Sequence, residues 1–394
     1  MANLPTAFLS EIHKMLYISS VFLKRRFFAC FAVSIVGIIF LITPYEIYAQ
    51  RLTPHFDKNE FEDLFKLNLG FKSIEGKASI PIDSFAYDQI YTSKSLGLDN
   101  QWSLWKHKEK NVAAICIRGT GPSTESWLEN IYAAMVPAKG ELILSEKDTF
   151  RYKLAEHPRA AVHVGWLVGV AFLSKEILPK IDSLYKTDIK DFYLIGHSQG
   201  GALVTLLHAY LKCLQLNSKI PNDLIFKTYA SAAPKTGNLY FAYYFEHITQ
   251  NGYAFNVVNT ADWVPEVPLS IQTLDDFNEV NPLSGLEEAI KKTGFFRRVA
   301  LKSIYKNLKK PMDKARNKYQ KYLGEEVSKM IRKSLPNFQP PEYFNSNHYM
   351  RVGRTIVLYA DEEYYKEFPA DPKSEYYIFT HHLFEPYKYL LDKL

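Results

Sequence analysis

The residues with the clearest chemical meaning lie between positions 196 and 200, where the sequence reads G-H-S-Q-G. Apolar residues 192–195 predict a strand before this motif, and the apolar pattern of residues 202–214 predicts a helix after it. A serine on a sharp turn between a strand and a helix projects its hydroxyl above the sheet, and flanking glycines avoid clashes. We therefore predict that Ser198 is a nucleophile rather than a serine in an ordinary turn.

A serine hydroxyl becomes a strong nucleophile when a histidine accepts its proton and a carboxylate orients that histidine. When the serine lies on such a turn, the acid follows it in the chain and the histidine comes last. Asp262 follows a predicted strand at 254–259 and is the candidate acid. His348, His381 and His382 are the candidate bases, and their spacing does not distinguish between them.

Hydrogen-bond donors are also needed to stabilise the negative charge that develops on the attacked carbonyl oxygen. Residues 118–120, Arg-Gly-Thr, end a predicted strand at 112–117. A donor there would supply half of an oxyanion hole, and the backbone N–H of Gln199 would supply the other half. The polar segment 121–128 is interpreted as a movable lid. The alternative for this segment is a surface turn with Trp127 in the core.

The elements around these residues alternate between strand and helix. A helix is predicted at 162–178, and further strands are predicted at 224–230 and 355–359. This alternation is typical of an α/β fold with a mainly parallel sheet and helices on both of its faces.

Residues 269–345 interrupt the alternation and are strongly basic. Between residues 287 and 333 there are 15 Lys or Arg and 5 Asp or Glu, a net charge of +10, although the whole chain carries only +6. The pattern predicts two amphipathic helices, at 286–310 and 312–335, with Pro311 beginning the second. The apolar residues near one face of the first helix are Phe296, Val299, Ile304 and Leu308. Those of the second are Met312, Ala315, Tyr319, Leu323, Val327 and Ile331.

The N-terminal residues predict an export signal or a membrane anchor. Lys24, Arg25 and Arg26 precede an uncharged apolar run at 27–42, and the small residue Ala49 follows. The run is of intermediate length, so cleavage and retention both remain open. The predicted organisation is therefore a signal or anchor at 1–50, a catalytic domain at 51–268 and 346–394, and a basic helical insertion at 269–345.

The composition is that of a globular protein with a large core, because 47% of its 394 residues are hydrophobic and 23% are charged. Cys116 and Cys213 fall in predicted apolar elements and are expected to be buried free thiols, and Cys30 lies in the N-terminal apolar run. No metal-ligand spacing is present, and we expect neither a metal nor a cofactor. The oligomeric state is left open.

Taken together, these motifs resemble those of the class 3, or fungal-type, lipase family of the α/β-hydrolase superfamily. The resemblance spans roughly residues 105–268 and 346–390. In chain order the segments that carry it are R-G-T at 118–120 with S-W-L-E-N at 126–130, V-H-V-G-W at 162–166, G-H-S-Q-G at 196–200, A-P-K-T-G-N at 233–238 and D-W-V-P-E-V-P at 262–268.

The resemblance implies an α/β-hydrolase fold and assigns roles to particular residues. Ser198 and Asp262 would be members of a catalytic triad, and Thr120 and Gln199 would be the oxyanion donors. The family's last histidine precedes a leucine or an acidic residue with an aromatic soon after, which favours His382 over His381 as the base. His348 is similar to a structural histidine of the family.

Three departures from the family pattern stand out: Gln199 replaces the usual leucine, Lys235 replaces the usual arginine, and residues 269–345 follow Pro268 as an insertion. The insertion lies in the sequence between the acid and the histidine, and it could therefore cover the active site. It therefore leaves the choice of substrate open.

The leading functional hypothesis is a hydrolase that cleaves carboxylic esters of lipids, whether triacylglycerol, diacylglycerol or phospholipid. The same triad would also serve a thioesterase or an acyltransferase. A hypothesis from another class is a membrane-surface-binding protein with a vestigial site, because the basic insertion at 286–335 would attract anionic lipid. Nucleic acid is not an expected partner.

Overall fold

The protein is described by a computed structural model for residues 52–71, 85–281, 290–292, 294–374 and 376–394. These residues form one compact unit, and the described part of the insertion belongs to it. The predicted signal or anchor, with Cys30, lies outside the described residues, as does the segment 282–289. Within the described residues, none of the helices has both the length and the hydropathy that a membrane crossing requires.

A sheet of seven strands forms the centre of the described structure. Its strands are β1 (Tyr87–Thr92), β2 (Trp102–His107), β3 (Val112–Ile117), β8 (Asp191–His197), β9 (Ile225–Ser231), β11 (Ala254–Asn259) and β13 (Arg354–Leu358), and this is also their order across the sheet. The pairs from β3 to β13 are parallel, whereas β1 and β2 are added to one edge in antiparallel fashion. The prediction of a mainly parallel sheet is confirmed.

Shorter strands lie outside this sheet. Strands β4 (Met135–Pro137), β7 (Ala161–His163), β10 (Gly237–Asn238) and β12 (Tyr349–Met350) form a small sheet of four, and β5 (Lys139–Ser145) pairs with β6 (Asp148–Lys153) in a hairpin.

The helices follow the strands in the alternation that the sequence predicts. In chain order they are α1 (Lys58–Lys66), α2 (Thr124–Ile131), α3 (Val164–Tyr185), α4 (Gln199–Leu216), α5 (Leu239–Ile248), α6 (Phe295–Gln320), α7 (Val327–Ser334), α8 (Glu362–Glu367) and α9 (Phe384–Lys393). Short 3-10 turns occupy Leu67–Gly70, Val264–Glu266, Leu274–Asp276 and Tyr377–His382, and a π-helical turn occupies Lys321–Glu326.

Strand β3 shows why helices cover both faces of the sheet. All six of its residues are buried, and successive side chains of a strand point to opposite faces. Ala113, Ile115 and Ile117 pack in one core with residues of α3 and α4. Cys116, with its neighbours on the other face, packs in a second core with residues of α1 and α9. Cys116 is a buried free thiol, as predicted.

The insertion differs from the prediction at Pro311. The prediction that Pro311 begins a second helix is wrong, because α6 runs through it without a break. Proline removes the hydrogen bond to the carbonyl four residues earlier, at Asn307. Both residues are exposed, so water can satisfy that carbonyl and the break is avoided.

The two halves of the insertion have different surroundings. In the second half, Val327 and Ile331 of α7 are buried in the same core as α3 and α4. The amide of Ala134 donates a hydrogen bond to the carbonyl of Leu323, at 3.2 Å. The second half is therefore anchored to the rest of the domain, whereas the first half of α6 is exposed.

Candidate active site

Ser198 sits on a strained turn between β8 and α4. Its φ of 59° and ψ of −131° lie in a region that residues with a side chain rarely adopt. The turn is tight because the backbone on either side comes close to its neighbours. A Cβ on Gly196 would lie 2.3 Å from the Gly200 carbonyl, and one on Gly200 would lie 2.2 Å from the carbonyl oxygen of Ile117. The glycines are therefore required by the turn, as the sequence predicted.

The start of α4 gives the environment of Ser198 a positive electrostatic character. The helix begins at Gln199, and the free N–H groups at a helix N-terminus favour negative charge. The Ser198 amide itself donates to the carbonyl of Ser231, at 2.9 Å. This bond ties the turn to the neighbouring strand β9.

His382 and Asp262 are in direct contact. Nδ1 of His382 lies 2.7 Å from Oδ2 of Asp262, and both side chains are buried. The backbone amide of Val264 donates to the other carboxylate oxygen, at 3.0 Å. Since Nδ1 is engaged by the carboxylate, Nε2 is the ring nitrogen that remains for a proton from another group. His382 and Ser198 line the same cavity.

The other two candidate histidines lie elsewhere. His381 turns its Nδ1 to the hydroxyl of Tyr364, at 2.9 Å, and its carbonyl accepts from the Asn259 side chain, at 3.0 Å. Burial lowers the pKa of His381. His348 is not among the residues that line the cavity. Of the three candidates, the structure brings only His382 to Asp262.

His197 supports the backbone of His382. Its Nε2 donates to the carbonyl of His382, at 2.8 Å, and its Nδ1 contacts the hydroxyl of Ser231, at 2.8 Å. Burial, together with the nearby His382, lowers the pKa of His197 to about 3. The ring is therefore neutral at ordinary pH, with its proton on Nε2 because a carbonyl can only accept.

The hydroxyl of Thr120 is oriented by Asn130. The indole N–H of Trp166 donates to Oδ1 of Asn130, at 2.9 Å, and this fixes the orientation of the amide. Nδ2 of Asn130 then donates to Oγ1 of Thr120, also at 2.9 Å. Because Thr120 accepts this bond, its own proton remains available for another acceptor. Thr120 and Gln199 both line the cavity that contains Ser198.

The side chain of Gln199 lies in a buried polar cluster behind the turn. Ser126 Oγ donates to Gln199 Oε1, at 3.2 Å, and accepts from the amide of Gly121, at 2.9 Å. Asn100 Nδ2 donates to Glu129 Oε2, at 2.6 Å. Burial raises the pKa of Glu129 to about 8, although the Asn100 and Gln199 amides favour its charged form. Gln199 thus has polar neighbours, and its Oε1 accepts a hydrogen bond from one of them.

The cavity in front of these residues has a volume of about 620 Å³ and mostly apolar walls. Large apolar side chains that form the walls include Phe65, Trp127, Trp263, Tyr319, Leu323 and Phe379. Tyr319 and Leu323 come from the insertion, which therefore supplies part of the wall. Within the described residues, no group of three potential ligand side chains is arranged around a metal position.

Residues 124–128 of the segment form the start of helix α2, and residues 121–123 lead into it with Ser123 as the N-cap. Trp127 is 38% exposed and lines the cavity, so it is not a core residue. The prediction that this segment moves as a lid stays a prediction.

Three supporting residues were missed by the reasoning from sequence. Tyr387 donates its hydroxyl to Asp262 Oδ2, at 2.8 Å, and Asn130 and Glu129 hold the contacts described above. The sequence offered two signals: an aromatic residue shortly after the last histidine for Tyr387, and polar residues beside Trp127 for Glu129 and Asn130. Neither signal specifies the partner.

A serine on a strained strand–turn–helix above a mainly parallel sheet, with a carboxylate-bound histidine in the same cavity, defines the α/β-hydrolase class. Residues 114–271 match the family described as lipase (class 3). The matched segment, which contains Ser198 and Asp262, is similar to class 3 lipases, and the protein is a carboxylic ester hydrolase. No curated protein matches the sequence significantly.

Solved structures of lipases are similar to this chain. A fungal lipase in complex with an inhibitor is 21% identical, with 54% of this chain and 74% of that chain covered and a TM-score of 0.41. A triacylglyceride lipase of Rhizomucor miehei is 20% identical, with 53% and 74% covered and a TM-score of 0.37. A lipase of Yarrowia lipolytica is 20% identical, with 56% and 78% covered and a TM-score of 0.41. The likeness to the family rests on the sequence match of residues 114–271.

Proposed function

We propose that this lipase cleaves carboxylic esters of lipids at Ser198 through an acyl-enzyme, with His382 and Asp262 completing a catalytic triad. The observation that carries the proposal is the 2.7 Å contact of buried Asp262 with His382, which lines the same cavity as the strained Ser198. A hydroxyl in a strained turn, a histidine and an orienting carboxylate are the parts that acyl transfer requires.

In the first half of the reaction, Ser198 Oγ attacks the ester carbonyl and its proton passes to Nε2 of His382. The ester C–O bond then breaks, and His382 gives the proton to the departing alcohol. In the second half, water attacks the acyl-enzyme, and His382 again takes and returns a proton, releasing the free acid. Asp262 stabilises the imidazolium that forms in both halves.

The oxyanion of each tetrahedral intermediate would be stabilised by the backbone N–H of Gln199 and by Thr120. The contact with Asn130 supports this role for Thr120, because it leaves the threonine proton free to donate. The N-terminus of α4 adds a favourable field for the same negative charge.

The cavity supports a lipid ester as the substrate class. Its apolar walls suit the acyl chain of a lipid ester, since burial of apolar surface favours binding by about 25 cal/mol per Å². The cationic side chain in the wall, Arg118, is already paired with Asp99, at 3.1 Å. Triacylglycerol, diacylglycerol and phospholipid are the candidates, and hydrolysis of a panel of these lipids would rank them.

Replacement of the nucleophile tests the proposal. Purified Ser198→Ala should lose at least about 1,000-fold in kcat on a lipid ester, because the covalent step is removed. Ser183→Ala, an exposed serine on α3, is the matched control and should keep full activity. Retention of wild-type hydrolysis by Ser198→Ala would contradict the proposal. Release of free acid indicates hydrolysis, whereas a labelled ester or thioester formed from an added alcohol or thiol indicates acyl transfer.

We also propose that the protein is exported or anchored to a membrane through residues 27–42, which lie outside the described residues. The support is the Lys24–Arg26 cluster before an uncharged apolar run. Cell fractionation, with N-terminal sequencing of the mature protein, tests this. A full-length protein that is found only in the cytoplasm would contradict it.

A further inference from the structure

The first half of α6 is exposed around its whole circumference. From Phe295 to Leu308, every residue except Tyr305 is exposed. The large apolar residues among them are Phe295, Phe296, Val299, Leu301, Ile304 and Leu308, whose exposure ranges from 42% to 86%. Extended apolar surface of this kind marks a site of protein or membrane binding.

Several apolar and basic residues of this segment form two separate rows, and Phe295, Arg297, Val299, Leu301 and Lys309 lie outside them. Side chains four residues apart lie on the same side of a helix. One row consists of Phe296, Ala300, Ile304 and Leu308, and a second consists of Arg298, Lys302, Lys306 and Lys310. The rows are offset by two residues, about 200° around the axis at about 3.6 residues per turn, so they lie on opposite sides.

The charge of this segment has one sign. Residues 295–310 contain six Lys or Arg and no Asp or Glu. An exposed helix with one apolar side and one strongly basic side fits an anionic lipid surface, because the apolar side chains enter the boundary of the acyl chains while the basic ones remain among the head groups. A polyanion such as nucleic acid would use the charges and leave the apolar row in water.

We propose that residues 295–310 dock the enzyme onto an anionic lipid surface. The inference deepens the proposed function and rests on it for the nature of the substrate, which is presented at such a surface. The same helical segment continues without a break to Tyr319 and Leu323 in the cavity wall. Docking of its first half therefore brings lipid to the segment that borders the active site.

Hydrogen exchange provides a local test that is independent of the N-terminal apolar run. Full-length Ser198→Ala, which leaves lipid intact, is mixed with vesicles of phosphatidylcholine alone or with phosphatidylglycerol added. We expect amide exchange in residues 295–310 to slow with the anionic vesicles and to stay unchanged with phosphatidylcholine alone.

Substitutions in each row test the two parts of the surface. Lys302→Gln with Lys306→Gln should weaken binding to anionic vesicles about thirtyfold, which corresponds to about 1 kcal/mol for each charge removed. Ile304→Ser with Leu308→Ser should weaken it by at least about tenfold through the lost apolar burial. The matched control is Lys147→Gln with Lys219→Gln, two exposed lysines outside the segment, whose effect should be under threefold.

Three results would overturn the docking proposal. Amide exchange in residues 295–310 could be unchanged by anionic vesicles, or could slow equally with phosphatidylcholine alone. The variants of the two rows could bind anionic vesicles as tightly as the control. Self-association of the protein, seen by light scattering and abolished by Ile304→Ser with Leu308→Ser, would also overturn the proposal. The surface of this helix would then bind a second copy of the protein and not a lipid surface. The row variants should hydrolyse a short water-soluble ester at the wild-type rate. A failure of the Ser198 experiment would therefore be distinguishable from a failure of docking.

Discussion

Tyr387 and His382 share one oxygen of Asp262: the tyrosine hydroxyl donates to Oδ2 at 2.8 Å, and His382 Nδ1 lies 2.7 Å from the same atom. Tyr387 is fully buried. The carboxylate is therefore held from two sides, and its position relative to the histidine depends on a residue of the last helix, α9.

Tyr387→Phe removes the hydrogen bond to Asp262 while keeping the shape of the ring. A hydrogen bond to a charged group contributes about 1.5–3 kcal/mol, so the free energy of unfolding should fall by about that amount. We expect kcat to fall less than about tenfold, because the His382 contact remains. Urea unfolding and steady-state kinetics measure the two effects. Tyr359→Phe, an exposed tyrosine, is the control, and equal stability of the two variants would contradict the prediction.

The two adjacent histidines should have very different effects on catalysis. His382→Ala should lower kcat by about four orders of magnitude, because Ser198 loses the acceptor of its proton. His381→Ala should lower it less than about tenfold, since His381 contacts Tyr364 rather than Asp262. Initial rates on one lipid ester compare them directly. A larger loss in His381→Ala would reverse the assignment of the base.

Asn130→Asp tests how Thr120 is oriented. A carboxylate in place of the amide would accept the threonine proton instead of donating to the oxygen, so that proton would no longer be available to the oxyanion. Loss of an oxyanion donor costs about 100- to 1,000-fold in kcat, and we expect a loss of at least about tenfold with KM little changed. Asn307→Asp, an exposed asparagine on α6, controls for the added charge. An unchanged kcat in Asn130→Asp would show that the threonine hydroxyl does not contribute.

The buried Glu129 should make stability depend on pH in a defined window. Its pKa is about 8 in the folded protein against an ordinary value of 4.5. Between these values the unfolded chain has lost the proton that the folded protein keeps, so the free energy of unfolding falls as pH rises, by up to about 1.4 kcal/mol per pH unit. Glu129→Gln keeps an amide neighbour for Asn100 and should abolish this slope. Urea unfolding of both proteins from pH 4.5 to 8 measures the slope. The prediction would be wrong if the free energy of unfolding changed equally with pH in the two proteins.

At lower pH, three histidines with lowered pKa values should make the free energy of unfolding rise with pH, the opposite of the effect of Glu129. Burial lowers the pKa of His163, His197 and His208 to about 3, from 6.5. Between pH 6.5 and 3 the unfolded chain binds protons that the folded protein does not, so stability is lost as pH falls. His208→Gln, far from the cavity wall, should reduce this loss by up to about 1.4 kcal/mol per pH unit. Unfolding curves that change equally with pH in both proteins would contradict the prediction.

The sequence predicted the elements whose apolar patterns are local and unbroken. Strand 112–117 and strand 254–259 were predicted with the bounds that the structure has, and the role of the glycines around Ser198 followed from the tightness of a strand–turn–helix. Helix α4 was also predicted, although it begins three residues earlier, at Gln199.

The contacts that join distant parts of the chain could not be derived in the same way. The pairing of Asp262 with His382 and Tyr387 depends on how α9 packs under the sheet, which spacing does not encode. The prediction that Pro311 begins a helix was based on the usual preference of proline for the first turn. In an exposed helix, solvation of the freed carbonyl outweighs that preference.

Labelling with a fluorophosphonate followed by peptide mapping tests whether Ser198 is the nucleophile, because the reagent reacts with an activated serine hydroxyl. We expect one adduct, on the peptide that contains Ser198, and its loss in both Ser198→Ala and His382→Ala. An adduct on a different residue, or undiminished labelling of Ser198 in His382→Ala, would contradict it.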